Sequence, residues 1–106
     1  MITLCRPLRI LTCNGAAVEL SPRAAAYLAT LEQCRPGFVH ERILIRLAAP
    51  KHTSATDGTA SMVAAMREIR AAFLALGYED PLERISCSGW LLRAPVKLIE
   101  DERLAA

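Results

Sequence analysis

Met62, Met66, Ile69, Phe73 and Leu76 recur at steps of four, three, four and three residues, the spacing that lines one face of an α-helix. Ala65 and Ala72 fall on the same stripe. The spacing predicts one long helix from Thr59 to Leu76, capped by Asp57 or Thr59 and closed by Gly77. Its other side carries Ala60, Val63, Ala64, Arg67, Arg70, Ala71 and Leu74, a small and apolar surface broken by two arginines. After Glu79-Asp80-Pro81, the segments Leu82–Cys87 and Trp90–Arg93 read as arms of a hairpin with Ser88-Gly89 at its turn. Any fold for this chain must bury one face of that helix and leave the β-ribbon beside it.

At 106 residues there is room for one domain with a modest core. The apolar content is mostly Ala, Leu and Ile, with only five aromatics, which points to small-residue, helix-rich packing. No apolar run approaches a membrane span, and Met1-Ile2-Thr3-Leu4-Cys5-Arg6-Pro7 lacks the apolar block of a signal peptide. The expectation is a cytoplasmic protein with no membrane partner. Cys5, Cys13, Cys34 and Cys87 are scattered, with no Cys-x-x-Cys and no nearby His pair, so zinc-ligand spacing is absent. Reduced, structurally idle thiols are expected, with redox sensing or a disulfide as the alternatives. The net charge of +2 is unevenly spread: residues 1–56 hold seven Lys/Arg against three Glu, residues 57–106 six against eight Asp/Glu. An electropositive face must therefore lean on the N-terminal half.

Upstream, Leu8–Thr12 and Ala17–Leu20 flank Cys13-Asn14-Gly15-Ala16. Asn-Gly between two β-prone runs predicts a tight hairpin turn with positive φ at both central residues, and Met1–Cys5 can add a strand beyond Arg6-Pro7. Ser21-Pro22 opens a helix with a capping hydroxyl and a proline at the first helical position. Ala24, Tyr27, Leu28 and Leu31 share its inner face, and Cys34-Arg35-Pro36-Gly37 stops it. Phe38-Val39 is expected to re-enter the core. A second helix is expected from about His40 to Ala49, with Ile43, Leu44 and Leu47 inward and Arg42 and Arg46 one turn apart on a more exposed side. The polar stretch Lys51–Gly58 reads as a loop. Val96–Ile99 is either a last strand or a short extension, so the expected division is one domain over residues 1–95 and an extension or acidic tail over 96–106.

This order of elements resembles the effector domain of OmpR/PhoB-type response regulators, here expected to stand alone without a receiver domain. Leu20-Ser21-Pro22 stands where that family has Leu-Thr-Pro, Pro36-Gly37 followed by Phe38-Val39 matches the end of its first helix, and Met66-Arg67-Glu68-Ile69-Arg70 matches the pattern of its third. Gly89-Trp90-Leu91-Leu92 is similar to the end of its wing. The resemblance covers about Leu8 to Leu92 and implies an α+β winged helix-turn-helix: an N-terminal β-hairpin or small sheet, three helices and a C-terminal β-hairpin wing. The chain departs from the family at Ala24, which replaces the acid of the first cap, at Leu47-Ala48-Ala49, which lacks a tryptophan, at Ala71-Ala72-Phe73, which replaces a basic run, and at Ser86 and Cys87, which replace the wing arginine and its first glycine.

The implied function is sequence-specific binding of double-stranded DNA for transcription regulation, with the third helix in the major groove. Arg67 and Arg70 are the candidate guanine readers or phosphate contacts, with a solvated helix face and a local pair to Glu68 or another acid as the alternative. Ala60, Val63 and Ala64 are small enough to touch thymine methyl groups. Thr59 and Ser61 can donate to phosphates from the helix N-terminus, Arg84 and Arg93 lie on the wing, and Arg42 and Arg46 can reach phosphate. A homodimer on DNA would suit so small a reading surface. The reading of another class is a protein-interaction module docking on RNA polymerase or another regulator through Val63, Leu74 and the loop at Lys51, His52 and Thr53, with little DNA affinity of its own. Trp90 is expected as a core anchor. His40 and His52 have no partner that spacing identifies. No nucleophile triad, paired carboxylates, phosphate loop or metal-ligand set is present, so neither catalysis nor a cofactor is expected.

Overall fold

The computed structural model describes residues 1–48, 55–86 and 88–100, with the side chains of 47, 48 and 55–58 set aside. Its elements run β1 (Ile2–Cys5), β2 (Ile10–Cys13), β3 (Ala16–Glu19), α1 (Pro22–Gln33), β4 (Val39–His40), α2 (Glu41–Ala48), α3 (Ala55–Ala75), β5 (Leu82–Ile85), β6 (Gly89–Leu92) and β7 (Val96–Ile99). The class is α+β. One sheet has the order β3-β2-β1-β7, the other β4-β6-β5. Asn14 and Gly15 adopt φ of 51° and 85°, the primed turn expected between β2 and β3. Val96–Ile99 takes the strand alternative. As β7 it pairs parallel to β1, Ile2 against Val96 and Cys5 against Ile99, and Arg6 extends the clasp by an ion pair to Glu100 at 2.9 Å.

α1 begins as its sequence dictates: the Ser21 hydroxyl accepts the Ala24 N–H at 3.2 Å, and Pro22 sits where a helix needs no donor. The acid missing from this cap comes from another helix. Glu68 of α3 accepts the Ser21 backbone N–H at 2.6 Å, the bond a capping-box acid at position 24 would otherwise make. Ala24 is fully buried, so no carboxylate could stand there. α1 packs against α2, α3 and β6, and Tyr27, Leu28 and Leu31 join Met62, Met66, Ile69 and Phe73 of α3 in one core. The α3 stripe is buried as its period requires, with Leu76 partly covered.

The end of α3 closes in a Schellman motif. Gly77, at φ 86°, donates to the Leu74 carbonyl and Tyr78 to the Phe73 carbonyl, at 3.0 and 2.9 Å. The rings of Phe73 and Tyr78 meet edge to face at 6.4 Å. The start of α3 differs from expectation. It lies at Ala55, so Asp57 and Thr59 are inside the helix and neither caps it. Once the stripe docks a nucleus, each added residue gains a backbone bond at low cost, which carries the helix one turn further upstream.

Four other expectations are corrected. α2 starts at Glu41, because Val39 and His40 pair with Trp90 and Gly89 as a short third strand. Phe38 does not re-enter the core; it stays 50% exposed while Val39 is buried, since it lies over Gly89, where a Cβ would collide with the ring. Ile43 is 51% exposed, whereas Leu44 is buried and Ile45 packs on the core. Leu47 has its side chain outside the described set. Finally, Gly89 is not a turn residue. It belongs to β6, opposite Ile85 and His40, and the turn lies upstream, with Ser86 at φ 53° and Ser88 donating to Ile85. Cys87 is outside the described residues; Cys5 and Cys13 are buried free thiols, and Cys34 is exposed and free.

Candidate nucleic-acid interface

The outer face of α3 is set by the same period that buries its inner one. Ala60, Val63, Ala64, Arg67, Ala71 and Leu74 are exposed, Leu74 at 74%. Among the described residues Arg67 has no ion-pair or hydrogen-bond partner, so its guanidinium is available to an anion or a base edge. Thr59 is also exposed, and Ser61 half-buried. With the helix starting at Ala55, both lie beyond its first turn, so the free N–H groups of the N-terminus do not stand beside their hydroxyls. Ser61 instead lines an open depression of about 510 Å³ with Ser21, Arg23, Ala64 and Glu68, between α1 and α3.

Arg42 and Arg46 project from α2 into a second open depression of about 370 Å³, lined also by His40 and Ile43. Neither guanidinium has a carboxylate partner among the described residues. The Nδ1 of His40 accepts the Arg42 backbone N–H at 3.1 Å, which caps the start of α2 and leaves Nε2 as the proton-bearing nitrogen of the neutral ring.

The remaining sequence candidates are engaged within the molecule. Arg70 reaches both oxygens of Asp80, at 3.0 and 2.9 Å, and its guanidinium carbon lies 5.3 Å from the centre of the Trp90 ring. Arg84 pairs with Glu41 at 2.9 Å and lies 5.0 Å from the same ring. Arg93 pairs with Glu83 at 3.0 Å. Trp90 itself is buried at 6% exposure, as expected of a core anchor, and its indole N–H has no partner among the described residues. Burial pulls the Asp80 carboxyl upward, but the Leu82 N–H and the Arg70 guanidinium outweigh it and hold the group below the ordinary carboxylate value. A helix, a hairpin and the turn between them are thus tied through one aromatic ring and two cations.

The structure therefore gathers Arg67 with Val63 and Ala64 on one helix face, Arg42 with Arg46 in one depression, and Arg70 with Arg84 around Trp90. Lys51, His52 and Thr53 lie outside the described residues. Sequence reasoning missed Asp80 as the partner of Arg70, and it offered Glu68 as a local partner of the α3 arginines, whereas Glu68 accepts from Ser21. Asp80 stands ten residues from Arg70 across the Gly77 reversal, and Glu68 47 residues from Ser21, so no local spacing rule connects either pair. Among the described residues no group of three or more His, Cys, Asp or Glu side chains is placed to hold a metal ion, and no helix is long and apolar enough to cross a membrane.

The sequence matches no protein-family model and no curated protein. In fold the chain is similar to the C-terminal domain of the nisin resistance regulator NsrR, a lantibiotic response regulator. The two are 21% identical over 89% of this chain and 93% of that one, with a TM-score of 0.66.

Proposed function

We propose that this chain is a winged-helix regulator of transcription, working in the cytoplasm, that binds double-stranded DNA with α3 in the major groove and the β5–β6 hairpin as its wing. The observation that carries this reading is Arg67, an exposed arginine without a partner among the described residues, set between small side chains on the outer face of a 21-residue helix. Ala60, Val63 and Ala64 let the helix backbone approach base edges and offer methyl contacts to thymine. Arg42 and Arg46 on the preceding helix supply phosphate contacts, as the first helix of a helix-turn-helix does when it crosses the backbone. The likeness to a response-regulator C-terminal domain supports the same arrangement.

The reading is tested by fluorescence anisotropy with random duplex DNA at low and moderate salt. Binding that weakens steeply with salt is expected, with Arg67→Ala costing about 1–3 kcal/mol and reducing the salt slope by about one. Unchanged binding in Arg67→Ala would take α3 out of the interface.

A second reading is favoured by the internal pairing of Arg70, Arg84 and Arg93 and by the exposure of Leu74: a winged-helix module that docks on another protein, RNA polymerase among the candidates, through Val63 and Leu74. No duplex binding at low salt would favour it. On the first reading, pairing of two copies along the DNA would extend a site that a single α3 can read over only a few base pairs.

A further inference from the structure

We infer that Arg70, Arg84 and Trp90 are positioning residues that fix the β5–β6 hairpin against α3, and that Arg67 is left as the one arginine of α3 to meet the duplex. The inference rests on the DNA-binding reading and divides its arginines by what each already holds. The Nε–H of Arg70 is committed to Asp80, 3.0 and 2.9 Å from its two oxygens, and the guanidinium lies over the face of Trp90, so swinging this side chain out to a guanine would break both contacts. Asp80 cannot follow it, because its Oδ1 also accepts the Leu82 N–H at 3.0 Å and so fixes the turn into β5. A freed Asp80 would then stand beside a phosphate chain with only the weaker influence of Arg93 to offset its charge.

Arg84 holds the other side. It joins β5 to Glu41 at the start of α2, and the Glu41 backbone N–H donates to the Ser88 carbonyl at 2.8 Å in the hairpin turn. The hairpin is therefore clamped to α3 through Asp80 and to α2 through Glu41, with Trp90 between the two cations. The gain is geometric: a wing held at a fixed angle to the reading helix enters its groove without further ordering.

The test uses the full chain with Arg67→Ala, Arg70→Lys and Asp80→Asn, comparing base preference from a randomised duplex pool, salt slope, and the emission of Trp90, the only tryptophan. Arg67→Ala is expected to flatten preference at a single base pair and lower the slope by about one. Arg70→Lys and Asp80→Asn are expected to keep the wild-type preference at every position and weaken all duplexes alike, by roughly two- to fivefold, while shifting Trp90 emission in the free protein. A changed preference at an individual base pair in Arg70→Lys would overturn the inference. So would tighter binding by Asp80→Asn, which would mean that Asp80 had been holding a DNA-contacting arginine back. Absence of duplex binding by the wild-type chain at low salt would remove the DNA reading and this inference together, a result distinct from either of those.

Discussion

The Glu68 carboxylate accepts the backbone N–H of Ser21 at 2.6 Å, so the first helix is capped by the third. Replacing Glu68 with Ala is expected to cost about 1–2 kcal/mol, the loss of a charge-assisted cap, read as a lower urea midpoint at unchanged slope. Glu68→Gln keeps an acceptor and should retain most of the stability. Adding Ala24→Glu to Glu68→Ala should not restore it, because position 24 is fully buried. Full rescue there would show that α1 can be capped from within.

At Gly89 space, not φ, is the constraint. A Cβ there would lie 2.8 Å from the Val39 carbonyl oxygen and would strike the Phe38 ring. Gly89→Ala is expected to destabilise by about 1–3 kcal/mol. Combining it with Phe38→Ala should relieve only part of that cost, since the carbonyl remains, and full relief in thermal unfolding would place the whole conflict on the ring.

Asp80 sets a dependence on the acid side. Its folded value lies below the unfolded one, so its contribution is complete above the ordinary value of 3.8 and is lost as pH falls through the folded value. The stability gap between wild type and Asp80→Asn should accordingly shrink on acidification. A gap independent of pH down to the acid transition would deny the ion pair with Arg70 any part in it.

Tyr27 sets the opposite limb. Its hydroxyl is buried with no partner among the described residues, and burial raises its ionisation above 10.0 even though Arg23 pulls the other way. A raised folded value means that the contribution is intact below the unfolded value and is lost as pH rises through the folded one. Tyr27→Phe removes an unpaired hydroxyl, so neutral-pH stability should stay within about 1 kcal/mol of wild type. The alkaline loss should become shallower. A larger neutral loss would reveal a bond the hydroxyl makes.

Much of this architecture can be read from local chemistry. Asn14-Gly15, Ser21-Pro22 and the stripe from Met62 to Phe73 each dictate their own element with only nearby residues involved. The departures arise where two requirements compete for one residue. Ile43, Leu44, Ile45 and Leu47 are four apolar residues within five positions, so periodicity could not choose which side of α2 faces in, and contact with α1 and α3 decides it. Gly89 resembles a turn glycine, yet it is needed where Phe38 crosses a strand. The candidate interface was half legible. Arg67 follows from the helical period, but the engagement of Arg70 and Arg84 depends on Asp80, Glu41 and Trp90 converging from separate elements.

The parallel pairing of β1 with β7 has a mechanical consequence. Ile2 and Ile99 lie at opposite ends of two adjacent strands that run the same way, so force applied across these residues loads the strands lengthwise. The interstrand bonds, evenly spaced along a parallel pair, must then yield together rather than one after another. Tension along the chain therefore meets its first resistance at this clasp, before it reaches α3 or the hairpin.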